Sequence, residues 1–262
     1  MKFLQIEVNN QNYLINTDNV LELIHYQEPT PMSYQSSYIE GIISHKEKVV
    51  PIVSVRKLLD FPSFKDEQLS FITKVEGQHV GWVEEFELSL ETGKEFTKTL
   101  DPHQCDLGIW IDKTVACLRC NNNGFVDTIR EELIECHEAL HNNGKKFLDD
   151  IQGDTVAHIK EIHKNASNTI KGLKSLEANI DKLTSAFEQI VLMDIDGKEI
   201  GIVVDRIDKT HDLDEKEFFT SRNNMSKTSK YLQFIDYYDI NGTLMFSMKF
   251  TDLFSTLLVD TK

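Results

Sequence analysis

The strongest constraint on the fold is the order in which hydrophobic patterns follow one another along the chain. Residues 1 to about 61 contain short alternating runs such as "FLQIEV", separated by prolines and by "NNQN", which is typical of β-strands. From about residue 66 the apolar residues recur every three or four positions, which predicts helices. After about residue 188 the strand pattern returns, with hairpin signals at Asp196-Gly197 and Asn241-Gly242. The chain is therefore predicted to run β, then α, then β.

This order favours one β domain that is interrupted by a helical insertion. Two separate β domains of roughly 60 and 75 residues would each bury little surface and be marginally stable. We therefore expect an α+β protein with two domains. The first half of the β domain is predicted at residues 1–65, an all-α four-helix bundle at 66–187, and the second half of the β domain at 188–262.

Composition narrows the classes of partner. The chain has 262 residues, 40% of them hydrophobic, and a net charge of −15, which disfavours nucleic acid and anionic membranes as partners. No apolar run approaches the roughly 18 residues of a membrane helix, and the first residues lack the features of a signal peptide. We expect a cytoplasmic protein with protein partners. Four cysteines are then expected to be reduced thiols: Cys105, Cys117, Cys120 and Cys136.

The stretch "HEALH", residues 137–141, matches the zinc-protease motif H-E-x-x-H, in which Glu138 would be the general base. One zincin class needs a third His where this chain has Phe147. Another class takes a downstream Glu, for which Glu161 has only its spacing to recommend it. A zinc metalloprotease stays open as an alternative.

A second hypothesis makes the same histidines part of a closed zinc site. His79, His137 and His141 fall on the buried stripes of two predicted helices, and neutral imidazole is the commonest zinc ligand. "CDLGIW" supplies Cys105 near the start of a helix, where the helix dipole favours a thiolate. Glu138 would then project about 100° away from the metal and be a solvated residue.

A rival site would use the pair Cys117-x-x-Cys120 together with Cys136 and His137. Adjacent helical residues point about 100° apart, which disfavours a shared ion for Cys136 and His137. The remaining histidines show no partner pattern and are expected to be superficial or incidental: His25, His45, His103, His158, His163 and His211.

The two β halves resemble the CheW family of bacterial chemotaxis coupling proteins. The resemblance rests on "INTDNVLELI", "YIEGIISHKEKVVPIVSVRKLL", "DGKEIGIVVDRID" and "GTLMFSMKFTDLF", which occur in the family order. It implies paired small β-barrels without a catalytic residue, which dock a CheA-type histidine kinase and chemoreceptors. One departure is the run from His45 to Lys48, where the family commonly carries an Arg-Gly pair.

The insertion is similar to chemoreceptor zinc-binding domains over about residues 66–187. Such domains have a His followed by Trp, then C-x-L-G-x-W, then H-x-x-x-H, which here are His79 with Trp82, residues 105–110, and His137 with His141. The resemblance implies a zinc-binding bundle of a kind linked to the sensing of zinc or of oxidants such as hypochlorous acid. Because a zinc-bound thiolate is the form that oxidants attack, we expect Cys105 to be the most oxidant-sensitive cysteine if solvent can reach it. The family's bundles can dimerise, and a long apolar seam from Ile159 to Phe187 permits this.

These expectations combine into a non-enzymatic chemotaxis scaffold that couples chemoreceptors to a histidine kinase and whose zinc-binding insertion modulates the coupling. The alternatives are the zinc metalloprotease and a zinc-responsive adaptor that works outside chemotaxis.

Overall fold

The computed structural model describes residues 1–33, 36–118, 133–149, 155–213, 218–219 and 230–253. The chain divides into two compact units. The β unit comprises Met1–Phe64 and Phe187–Lys262, and the helical unit comprises Lys65–Ala186.

The β unit is built from two stretches of chain. The first stretch forms β1 (Lys2–Val8), β2 (Gln11–Asn16), β3 (Val20–His25), β4 (Ile39–His45), β5 (Lys48–Ser54) and the short helix α1 (Val55–Leu58). The second stretch forms β6 (Gln189–Ile195), β7 (Lys198–Val204), β8 (Arg206–Asp212), β9 (Phe218–Phe219), β10 (Leu232–Ile240) and β11 (Thr243–Phe250).

Both sheets of the β unit mix strands from the two stretches. The six-stranded sheet has the order β8-β1-β2-β11-β10-β9, and the five-stranded sheet has the order β3-β6-β7-β5-β4. In the first sheet β1 is antiparallel to β8 and β2 is parallel to β11. In the second sheet β3 is antiparallel to β6 and β5 is parallel to β7. Neither stretch therefore completes a sheet without strands from the other.

The sheets differ in one respect from the closed barrels that the resemblance implies. Over the described ranges each sheet keeps two edge strands, β8 and β9 in one and β3 and β4 in the other. The predicted α+β class is confirmed, and the long helices of the described ranges lie in the middle of the chain.

Both predicted tight hairpins are present. Asp196 and Gly197 join β6 to β7, Asn241 and Gly242 join β10 to β11, and all four residues have positive φ. In each turn an aspartate three residues earlier accepts a hydrogen bond from the glycine N–H, at 2.8 Å for Asp194 and 2.7 Å for the second turn. These local preferences set the register of the two strand pairs.

The core of the β unit follows from the alternation of side chains along the strands. Inward positions from both stretches are fully buried, because one face of each sheet packs away from water. Examples from the first stretch are Ile6, Ile15 and Val53, and examples from the second are Val191, Ile202 and Val204.

In its described ranges the helical unit has four long helices and one short one. They are α2 (Phe64–Thr92), α3 (Asp106–Leu118), α4 (Glu135–Asp149), α5 (Thr155–Ala178) and α6 (Ile180–Phe187). Residues 119–132, which precede α4, lie outside the described residues.

The predicted apolar seam from Ile159 to Phe187 belongs to two helices and not to one. Asn179 interrupts it: its N–H donates to the carbonyls of Ser175 and Leu176, while its own carbonyl accepts from Lys182 and Leu183. The residue thus ends α5 and starts α6. The longest helix in the described ranges is consequently α2, with 29 residues.

Across the described residues, no helix combines the length and the apolar character that crossing a membrane would require.

Candidate metal centre

Three helices bring four potential ligands to one place. His79 lies on α2, Cys105 immediately precedes α3, and His137 and His141 lie one turn apart on α4. Their ligand atoms all lie within 4.8 Å of one another. Ligands of a tetrahedral zinc ion, with bonds of about 2.0–2.3 Å, are separated by roughly 3.3–3.8 Å, so a small contraction would suffice. The four residues could therefore hold a metal ion.

The three imidazoles are buried because they occupy the inward stripes of their helices. The exposed fraction is 3% for His79, 1% for His137 and 0% for His141. The stripe of α2 continues with Val75, Trp82 and Phe86, all of which are buried. The prediction that these three histidines are buried, made from the helical periodicity, is thus confirmed.

Two of the imidazoles are oriented by backbone carbonyls. His79 donates from Nδ1 to the Val75 carbonyl at 2.7 Å, and His141 donates from Nδ1 to the Thr99 carbonyl at 3.2 Å. Because a carbonyl oxygen only accepts hydrogen bonds, both rings carry their proton on Nδ1 and leave a lone pair on Nε2.

Those lone pairs show that the site fits a cation. The Nε2 atoms of His79 and His141 are buried and have no hydrogen-bond partner in the part of the chain that the structure describes. A buried nitrogen without a partner costs free energy, and a metal ion would remove that cost. Metal-binding histidines commonly have this arrangement, in which the Nδ1–H donates to a carbonyl and Nε2 is left to face the ion.

Cys105 occupies the N-cap position of α3. Its carbonyl accepts the Ile109 N–H at 3.0 Å, and its Sγ accepts the Gly108 N–H at 3.3 Å. Gly108 is required there, because a Cβ at this position would lie 1.7 Å from the Pro102 carbonyl oxygen. The sulfur lies 3.1 Å from Nε2 of His137.

Burial prepares the imidazoles for metal binding. Burial, reinforced by the neighbouring imidazoles, lowers the pKa of His137 to about 2. Burial with the nearby His79 ring also lowers the pKa of His141 to about 4, and burial lowers the pKa of His79. All three rings are therefore neutral near pH 7, which is the form that binds a metal.

The Cys105 thiol, unlike the imidazoles, must lose a proton before it can bind a metal ion. Burial raises the pKa of the Cys105 thiol, and the N–H groups of Gly108 and Leu107 offset this only in part. A zinc ion bound to the sulfur would hold the thiol deprotonated.

The protease ligand sets are not assembled. Glu138 is half-buried and its carboxylate does not belong to the four-residue cluster, Phe147 lies in the apolar core of the helical unit, and Glu161 is exposed. Within the described ranges the cluster offers four potential ligands, and a zinc ion held by all four would have no open position for a catalytic water.

The rival cysteine site is only partly covered by the described residues. Cys136 is half-buried and is not among the clustered ligands. Cys120 lies outside the described residues, as does the side chain of Cys117.

Several histidines that were expected to be incidental contact polar partners near the surface. These contacts are His45 with Glu22, His103 with Asp112, His163 with Glu87, and His211 with Gln5. None of these histidines belongs to a metal-type cluster in the region that the structure describes.

A buried ion pair in the β unit was not predicted from the sequence. Arg56 donates from Nε to Oδ1 of Asp205 at 2.6 Å and from Nη2 to Oδ2 at 2.5 Å. The Asn9 N–H donates to the same Oδ2 at 2.7 Å. Arg56 follows β5 and Asp205 follows β7, so the pair joins the two stretches of chain. The sequence offered one indication of this pair, because both residues lie inside the segments that resemble the CheW family.

Comparisons with known proteins agree with this geometry. Residues 2–85 match the model of the CheW-like domain family, and residues 79–148 match the model of the chemoreceptor zinc-binding domain family. The chemotaxis protein CheW of Bacillus subtilis (strain 168) is 30% identical over 84 residues, which are 31% of this chain and 54% of the relative. The chain thus spans about half the length of the curated relative that it matches.

Among solved structures, the scaffolding protein TtCheW from Thermoanaerobacter tengcongensis aligns with 10% identity and a TM-score of 0.45. The alignment covers 100% of this chain and 94% of that chain.

The second of these families is described as zinc-binding, and zinc is an ion that suits a cluster of three histidines and one cysteine. Residues 2–85 are therefore similar to the CheW-like family, and residues 79–148 are similar to the chemoreceptor zinc-binding family.

Proposed function

We propose that this protein is a cytoplasmic, non-enzymatic chemotaxis scaffold that couples chemoreceptors to a histidine kinase, and that zinc in its helical unit modulates the coupling. One observation carries the proposal: a cluster of three buried histidines and the half-buried Cys105 lies in a helical unit, and this unit interrupts a β unit whose sheets need both flanking stretches of chain. The matches to the two families support the same combination.

The ligand set is proposed to be His79, Cys105, His137 and His141, which bind one zinc ion in a closed site. The lone pairs of the two carbonyl-bonded histidines support this set. Zinc bound in this way holds α2, α3 and α4 together, so its release would loosen the contacts between these helices.

Metal analysis of single alanine variants tests the ligand set. Each of the four ligand changes should weaken zinc binding by more than the roughly 10–100-fold that changes around a metal site typically cost. Cys136→Ala, Cys117→Ala and Cys120→Ala are the controls and should keep wild-type affinity. Loss of zinc in Cys117→Ala or Cys120→Ala would instead support the rival cysteine site.

Reconstitution with the histidine kinase and receptors tests the coupling function. The protein should raise receptor-dependent kinase activity, and zinc-loaded and zinc-free protein should do so to different extents, because a ligand shifts only an equilibrium between states that it distinguishes. Absence of kinase binding would favour an adaptor that works outside chemotaxis. Equal coupling with and without zinc would make the ion purely structural.

We propose further that Cys105 senses oxidants. Its zinc-bound thiolate would attack hypochlorous acid and end as a sulfenic acid, the sulfur losing two electrons and the chlorine leaving as chloride. A sulfenic acid is a poor zinc ligand, so the ion would dissociate. Zinc release, Cys105 oxidation by mass spectrometry and kinase coupling should change together after treatment. The sensor proposal is wrong if Cys117 or Cys120 is oxidised while Cys105 stays reduced.

The metalloprotease alternative is tested by Glu138→Gln. The four protein ligands leave no coordination position for the attacking water beside Glu138, so we expect the wild-type protein to show no peptidase activity. Cleavage of casein that disappears in Glu138→Gln, with zinc retained, would overturn the scaffold proposal.

Dimerisation through the helical unit is a separate proposal. The apolar seam that was expected to permit it is largely buried within the chain itself, with exposed fractions of 1% for Ile162, 0% for Leu173 and 0% for Leu183. A dimer would therefore use another face of the unit. Sedimentation equilibrium of the zinc-loaded protein tests whether a dimer forms.

A further inference from the structure

The carbonyl of Thr99 joins a metal ligand to a tryptophan. It accepts a hydrogen bond from Nδ1 of His141 at 3.2 Å and another from Nε1 of Trp82 at 2.9 Å. Thr99 lies in the connection between α2 and α3, so the carbonyl bridges a side chain of α2 and a side chain of α4.

Trp82 also touches the imidazole directly. The Trp82 and His141 ring centroids lie 5.4 Å apart with an interplanar angle of 60°. The indole itself is fixed from two further sides, since it stacks on Phe86 at 5.2 Å and meets Phe96 edge to face at 5.1 Å. With an exposed fraction of 3%, Trp82 has little freedom to move away from the histidine.

The connecting segment is held against α2 by a second set of contacts. Oε1 of Glu85 accepts the Thr97 N–H at 2.9 Å and the Thr97 hydroxyl at 2.6 Å. These bonds hold the backbone at Thr97 against α2, and so they help to hold the Thr99 carbonyl, two residues later, in its position.

Gly144 leaves the space that the indole needs. A Cβ at this position of α4 would lie 2.5 Å from Cη2 and 3.0 Å from Cζ2 of Trp82. Any side chain at 144 would therefore displace the ring or push α4 away from α2.

We propose that Trp82 is a positioning residue for the metal ligand His141, acting through the Thr99 carbonyl. The indole N–H holds the carbonyl where it accepts the Nδ1 proton, which fixes the tautomer and directs Nε2 at the ion. Outer hydrogen bonds of this kind orient metal-binding histidines and strengthen them as ligands. The inference rests on the proposed ligand set.

The test is Trp82→Phe, with Trp110→Phe as the matched control. The phenylalanine keeps an aromatic ring but removes the N–H that reaches Thr99. The Trp110 indole is the other tryptophan of the chain and donates to Oε1 of Gln68 at 2.9 Å, outside the cluster. Zinc affinity, measured by competition with a chromophoric chelator, should fall about tenfold or more in Trp82→Phe and stay unchanged in Trp110→Phe.

A spectroscopic readout separates positioning from simple packing. In the zinc-loaded protein the Nδ1 proton of His141 should give a slowly exchanging NMR signal, which moves or disappears in Trp82→Phe but not in Trp110→Phe. A folded Trp82→Phe variant with wild-type zinc affinity and an unchanged His141 signal overturns the proposal.

Gly144→Ala provides a second variant should Trp82→Phe lose its helical circular dichroism. It should weaken zinc binding through the clash with the indole, whereas Gly81→Ala, where a Cβ meets nothing within 4 Å, should not. Equal affinity in both glycine variants would count against the proposal. If the wild-type protein bound no zinc, the ligand set and the positioning role would both be wrong, whereas tight binding that resists these substitutions rejects the positioning role alone.

Discussion

The rings of Phe64 and Phe187 lie 5.6 Å apart, although the whole of residues 65–186 separates them in the sequence. Phe64 is the last residue of the first β stretch and Phe187 is the first residue of the second. The guanidinium of Arg56 lies over the Phe64 ring at 5.3 Å and also contacts the Pro62 carbonyl. The two chain ends at which the β unit is interrupted therefore lie next to each other.

This proximity predicts that the β unit folds without the insertion. When residues 65–186 are replaced by a short Gly/Ser linker, the product should show a β-type circular dichroism spectrum and one cooperative unfolding transition in urea. Residues 1–64 alone should not fold, because β1, β2, β3 and β5 would each lose a partner strand. A linker variant without a cooperative transition would contradict the domain boundaries proposed here.

Arg56→Met should destabilise the β unit strongly. Asp205 would be left as a buried, uncompensated charge, which typically costs about 3–5 kcal/mol. Arg206→Met is the control, because its partner Glu7 is partly exposed and such pairs contribute at most about 1 kcal/mol. Urea unfolding measures both, and the double variant Arg56→Met with Asp205→Asn should recover part of the loss. Equal effects of the two arginine changes would show that the buried pair does not stabilise the fold.

Glu188 should make the β unit less stable as the pH rises. Burial, together with the charges of Glu40 and Asp205 and against those of Arg56 and Lys57, raises the pKa of the Glu188 carboxyl to about 8. In the unfolded chain its pKa is near 4.3. Between these values the folded state holds a proton that the unfolded state has lost, so the free energy of unfolding decreases from about pH 5 to pH 8.

Glu188→Gln should therefore be more stable than the wild-type protein at pH 9 and should flatten this decrease, measured as the free energy of unfolding in urea at pH 6 and pH 9. Glu199→Gln, on β7 at the surface of the same unit, should keep the wild-type slope. A Glu188→Gln variant with the wild-type pH dependence would show that another group is responsible.

Zinc binding should release about one proton at pH 7.5. The three imidazoles are already neutral because burial lowers their pKa values, whereas burial raises the pKa of the Cys105 thiol and keeps it protonated without metal. The apparent affinity should consequently increase about tenfold per pH unit while the thiol is protonated. Calorimetric titration in two buffers of different ionisation enthalpy measures the proton count. Cys105→Ala should bind more weakly and release none, and a count near three would contradict neutral imidazoles.

Features that depend on short-range backbone and side-chain preferences could be predicted from the sequence. Positive φ is readily adopted by Asn, Asp and Gly, so the two hairpins could be located from four residues. Helical periodicity predicted which face of α2 and α4 is buried, and a spacing of four residues placed His137 and His141 on one face.

The contacts between segments that are distant in the sequence could not be predicted and became visible only in the folded structure. The pairing of β5 with β7 and the ion pair of Arg56 with Asp205 connect residues that the insertion separates, and no local preference specifies such contacts. The break at Asn179 was hidden because the apolar stripe continues across it. The role of the Thr99 carbonyl could not be predicted from the sequence, because every residue has a carbonyl. The packing of α2 and α4 brings this one within hydrogen-bond distance of both His141 and Trp82.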